Sequence, residues 1–146
     1  MRIITKDGKR SVDIGSSDIW IAIYSTAVDA FSGFKKRKIS LAIKFMEDGS
    51  CSGEDGYEIA RQFNLIRDEL STIEPEKVVY DINDRKKKAP WTGKISPVIT
   101  SCANLFTTAD GKDLLYEVVS ILCYAQIAKT DVIIEWFEII NVFNHS

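Results

Sequence analysis

The groups that most often carry covalent or acid–base chemistry are sparse in this chain: three cysteines, one histidine and scattered carboxylates. His145 stands beside the last residue, where side chains are seldom held in place, and nucleophilic or general-base catalysis mostly depends on a positioned imidazole. Cys51, Cys102 and Cys123 have neither the paired spacing nor the histidine partners of a zinc site. Cys123, on a helical pattern, reads as a small core residue. The eight glycines form no GxSxG elbow, P-loop or GxGxxG turn; Gly49, Gly53 and Gly56 punctuate an acidic turn instead. Asp81 and Asp84 could bind a divalent cation or flank a scissile bond, but their spacing is common, and an aspartate there equally accepts turn hydrogen bonds. No cofactor is expected, and the chain is expected to bind rather than to catalyse.

Charge is distributed more informatively. Residues 47–58 hold Glu47, Asp48, Glu54, Asp55 and Glu58 with no lysine or arginine. Such a patch can steer a basic partner, although acids are also favoured at a helix N-terminus. Two basic runs, 35–38 (Lys35-Lys36-Arg37-Lys38) and 85–88 (Arg85-Lys86-Lys87-Lys88), suit either solvated loops or nucleic-acid contact. Trp91, in the polar loop 83–95, is the aromatic least explained by helix or strand packing; it plugs the core beneath its loop or anchors an interface.

The elements that must position these residues are partly legible. Residues 2–15 form a hairpin, since Asp7-Gly8 supplies positive φ angles between two apolar runs. Ser16 or Ser17 caps a helix over 18–31, with Trp20, Ile23, Ala27 and Phe31 on one face; its apolar stretch 19–24 would also suit a buried strand. Residues 39–46 alternate as a strand does, yet Ile39, Ala42, Ile43 and Met46 fit a helix nearly as well, and both readings stand. Ile59, Phe63, Ile66, Leu70 and Ile73 make one helical stripe between the cap Ser52 and Pro75. A strand over 78–82, a short helix from Ser96-Pro97 to about residue 105, an extended segment 106–108, a helix capped by Asp110 with Leu114 or Leu115, Val118, Leu122, Ala125 and Ala128 buried, and a strand over 132–140 complete the order. About five strands and three to four helices predict α/β or α+β layers around one core. Residues 1–146 read as a single domain, with 141–146 a loose tail.

The net charge of −2 implies no highly charged partner by itself. No apolar stretch has the length and purity of a bilayer span, and the start turns polar before a secretory core could form. Unpaired cysteines suit a reducing compartment. The expected location is the cytoplasm.

The middle of the chain, KVVYDINDRKKKAPWTGKISPVITSCANLFTTADGKDLLYEVV, resembles the immunity proteins of bacterial polymorphic toxin systems, in particular the immunity protein 70 family. The resemblance rests on Tyr80-Asp81-Ile82-Asn83-Asp84, on Pro90-Trp91, on 95–100 (Ile-Ser-Pro-Val-Ile-Thr) and on 106–114, which runs from Phe106 through Thr107, Asp110 and Gly111 to Leu114. It covers roughly residues 55–136 and departs from the family pattern at Thr92, which separates Trp91 from Gly93. The resemblance implies a cytoplasmic antidote to contact-dependent inhibition. Its implied partner is the C-terminal toxin domain of a cognate effector, often a nuclease; from their charge, the acidic residues of 47–58 are expected to face that toxin. Asp81, Asp84, Pro90, Trp91, Thr107, Asp110 and Gly111 would then define the scaffold rather than the contact. Two competing functions remain: a small nucleic-acid-associated protein using the basic runs, and an enzyme using Asp81 and Asp84 with a divalent cation.

Overall fold

The computed structural model describes residues 1–136. Strands β1 (Arg2–Thr5) and β2 (Ser11–Asp13) form the expected hairpin, with Gly8 at φ 75° in its turn. After helix α1 (Ser17–Ala30) come a 3-10 helix (Gly33–Ile39), helix α2 (Ser40–Asp48) and the short strand β3 (Ser50–Cys51). A 3-10 turn (Gly53–Asp55) opens helix α3 (Gly56–Leu70), and another (Pro75–Lys77) follows it. Helix α4 (Leu114–Ala128) and strand β4 (Val132–Glu135) end the described chain. The four strands make one antiparallel sheet in the order β2-β1-β4-β3. With four helices on one antiparallel sheet and no parallel pair among the described strands, the class is α+β.

Register decides which sheet face is apolar. Ile3 stands opposite both Val12 and Ile134, and all three are buried. One residue along, Ile4 pairs with Ile133 and Arg2 with Glu135 on the opposite face, where the Arg2–Glu135 ion pair closes at 2.9 Å. Between the helices, Trp20, Phe45 and Phe63 bring α1, α2 and α3 together, with ring centroids 6.3 Å apart in each pair. Two of the three contacts are edge-to-face, the arrangement favoured by the ring quadrupole.

The reading left open for residues 39–46 resolves to helix: their alternation is accidental, because Ala42, Ile43, Phe45 and Met46 all reach the core from a helical backbone. Helix α2 has no side-chain cap of its own, and its Ala42 N–H is satisfied by the buried Gln62 Oε1 of α3 at 2.9 Å. Gln62→Leu keeps the volume and removes the acceptor, so it should lower unfolding stability by about 1–3 kcal/mol in a denaturant titration. Several expectations are corrected. Residues 78–82 form no strand. The Thr26 hydroxyl of α1 accepts from the Val79 N–H (3.1 Å) and donates to the Val79 carbonyl (3.2 Å), and Ser25 Oγ accepts from Ile82 N, so this backbone is tied to a helix instead of a sheet ladder.

Residues 96–105 form turns rather than a helix, and 106–108 contribute only the single bridge Thr107↔Asp113. Asp113, not Asp110, caps α4: its Oδ1 accepts from Tyr116 N at 3.2 Å, and its Oδ2 accepts from Arg67 at 2.9 Å. Leu114, Leu115, Val118, Leu122 and Ala125 are buried as expected, whereas Ala128 is exposed and Cys123 is half-buried against the core. Among the described residues the sheet has four strands rather than five. Residues 137–140 of the expected last strand, and the tail 141–146, lie outside the described residues.

Candidate functional site

The acidic stretch is built by two successive chain reversals. Gly49, at φ 78°, ends α2 by donating its N–H to the Phe45 carbonyl at 2.9 Å. After β3, Ser52 Oγ accepts from Glu54 N at 3.2 Å and turns the chain into α3. Glu54, Asp55 and Glu58 thus fall where the helix N-terminus favours anions. Glu47 and Asp48 do not. They close the last turn of α2, where the dipole disfavours negative charge and no basic residue compensates.

Asp48 and Asp55 face a common groove of about 220 Å³ floored by Leu41, Phe45 and Ile59 and also lined by Lys44, so the two acids outnumber one cation there. Cys51 lies in it, and burial, then the charges of Asp55 and Asp131, push its thiol up to about 12. At neutral pH that thiol is protonated and a poor nucleophile. Ser52 also borders a second groove of about 370 Å³ that contains Glu54, Lys129 and Asp131. Asp131 had no local signal as a site residue; it reaches the patch across 78 positions by accepting Gly53 N–H at 3.1 Å.

The other two acids are engaged elsewhere. Glu47 accepts the Tyr24 hydroxyl at 2.7 Å, and burial together with Glu47 raises that phenol to about 12. Glu58 is gripped by Arg61 through two hydrogen bonds (2.9 and 2.5 Å) and touched by Gln62, which hold its carboxyl down to about 2. The pair cancels much of the Glu58 charge. The surface available to a cation is therefore centred on Asp48, Glu54, Asp55 and Asp131, with Glu47 and Glu58 at its margins.

Among the described residues no group of three or more His, Cys, Asp or Glu side chains is placed to hold a metal ion. Asp81 Oδ1 accepts Asn83 N at 2.9 Å and its carbonyl accepts Asp84 N at 3.1 Å, a local turn, while Asp84 is exposed. Both basic runs are exposed. No described helix is long and apolar enough to cross a membrane.

The family model for immunity protein 70 matches residues 5–134. This chain is a member of the immunity protein 70 family. No curated protein and no solved structure matches it. The match begins well before residue 55, where the motif resemblance starts, and the structure gives the reason: β1 pairs directly with β4, so the N-terminal hairpin belongs to the same sheet as the end of the matched segment.

The motif residues of this immunity protein lie mainly in turns. Trp91 is half-buried, packs edge-to-face on buried Tyr80 with centroids 5.7 Å apart, and leaves its indole N–H enclosed without a partner. Pro90 beside it is exposed. Asp110 takes the Thr108 hydroxyl, Gly111 turns at φ 84° with its N–H on the Thr108 carbonyl, and Thr107 bridges to Asp113. These bonds shape the entry to α4.

Proposed function

We propose that this immunity protein neutralises the C-terminal toxin domain of a cognate effector in the cytoplasm by occluding a cationic, nucleic-acid-binding cleft. The observation that carries this reading is the pair Glu47 and Asp48 at the wrong end of a helix dipole, with Asp48 sharing a groove with Asp55. The helix dipole disfavours acids there, and the Tyr24 hydrogen bond accounts for Glu47 alone; exposed Asp48 suits complementarity to a basic partner. Occupying a surface requires no turnover, in keeping with protonated Cys51 and with Asp81 engaged in its own turn. Asp81, Asp84, Pro90, Trp91, Thr107, Asp110 and Gly111 act in this reading as scaffold, because partner specificity must vary between relatives while turns and caps need not.

The test is co-expression with the C-terminal domain of the effector encoded beside this protein. Growth should be restored and a stable complex recovered by size exclusion. If growth stays arrested although the protein is abundant and folded, the assignment to that toxin fails. If the purified complex retains full nuclease activity, occlusion of the cleft fails.

A further inference from the structure

We propose that Phe34 and the two basic runs together form a binding surface for single-stranded nucleic acid, separate from the acidic face and independent of the toxin reading. Lys35, Lys36, Arg37 and Lys38 occupy the 3-10 helix Gly33–Ile39 that leaves the end of α1. In that geometry residues three apart eclipse, and the Arg37 guanidinium lies 5.7 Å from the centroid of the Phe34 ring. Phe34 is 84% exposed, more than any other large apolar side chain described.

The second run, far away in sequence, is drawn to the same helix end. Arg85 donates to Asp29 Oδ1 at 2.9 Å, and Asp29 lies in the last turn of α1, just ahead of Gly33. Residues 35–38 and 85–88 are exposed throughout. Besides Asp29, the acid paired with these runs is Glu69, loosely with Lys35 at 3.9 Å. The two runs hold eight of the chain's 19 lysines and arginines in a protein whose net charge is −2. Arg85 ties the start of the second run to the helix end from which the first departs, while Lys87 lies over the Tyr80 ring at 5.4 Å.

The combination selects the ligand. A phenyl ring with a guanidinium over it is the stacking platform that an unpaired base uses, and flanking ammonium groups suit the phosphates on either side. A bilayer would need more apolar surface than one ring, and the next apolar residue, Ile39, is fully buried. An acidic peptide would satisfy the cations but leave the ring unused.

Fluorescence anisotropy of the full chain with a labelled single strand of roughly 20 nucleotides tests this at low salt. Binding is expected, weaker for the matching duplex, and falling steeply with added salt. Phe34→Ala should weaken it about fivefold or more, and Lys36→Glu with Lys38→Glu about tenfold or more. All these positions are exposed, and unchanged circular dichroism would confirm that the variants fold. Failure of the wild-type chain to bind the strand would overturn the proposal, as would equal binding by Phe34→Ala, or preferential capture by phosphatidylserine vesicles.

Discussion

Gly56→Ala should destabilise this protein by about 2–3 kcal/mol, although alanine is the better helix former by about 1 kcal/mol. The backbone of Gly56 is ordinary right-handed helix, so conformation does not demand glycine. Proximity does. A Cβ there would run into the Leu122 carbonyl oxygen of α4 and approach Gln126 Cβ to 3.2 Å. Gly53 is similarly confined, by the Thr130 carbonyl and by the Ala125 carbonyl at 2.9 Å. Backbone cannot yield as a side-chain tip can, so α3 must shift away from α4, loosening the contact of Tyr57 N–H with Gln126 Oε1 at 2.6 Å. Thermal denaturation should show a melting temperature lower by about 8 °C. An unchanged melt would mean that the two helices separate more freely than their packing implies.

The second large effect concerns the partner. Asp48→Lys combined with Asp55→Lys should weaken toxin binding by about 100-fold, chiefly by slowing association, and should reverse its dependence on salt. Both side chains are exposed, and Asp55, although it holds the N-cap position of α3, makes no side-chain cap hydrogen bond, so the reversal should lower stability by no more than about 1 kcal/mol through the helix dipole. Glu58→Gln is the informative control. Its carboxylate is already held by Arg61, so its loss should matter far less than that of Asp48 or Asp55. Surface plasmon resonance at two salt concentrations separates these outcomes. Equal losses for Glu58→Gln and the double reversal would point to general electrostatics rather than a groove-centred contact.

Much of the fold was legible because local chemistry and tertiary packing agree. The Asp7-Gly8 turn, the Ser16 cap and the stripe through Ile59, Phe63, Ile66 and Leu70 each carry their own signal, and each element formed. Reading failed where a distant group took over the backbone. Val78 and Val79 have strand-forming side chains, but Thr26, 53 positions away, holds Val79 at both its N–H and its carbonyl. Helix α2 fitted strand and helix alike because its N-terminal donor is satisfied from α3, leaving no capping residue in its own sequence to decide between them. Asp110 resembles a cap, yet its carboxylate is committed to Thr108, and the turn at Gly111 moves the helix start to Asp113.

The candidate site shows the same division. The acids of 47–58 were visible as composition, whereas their grouping was not. The fold separates Asp48 and Asp55 from Glu47 and Glu58, and adds Asp131 from the approach to β4. The approach of the second basic run to the end of α1 likewise depends on one long-range pair, Arg85 with Asp29.

The position of β1 governs how this protein can come into being. It is an interior strand flanked by β2 and β4, so Ile3 cannot find its Ile134 neighbour until nearly the whole described chain has been synthesised. Closure of so long a loop is slow compared with local helix formation, and the edge of β1 that later meets β4 stays open while the chain emerges from the ribosome. A chain interrupted before residue 132 would lack β4, the strand that joins β3 to the hairpin. Protection would then rise as a threshold in completed molecules, with partial products contributing nothing.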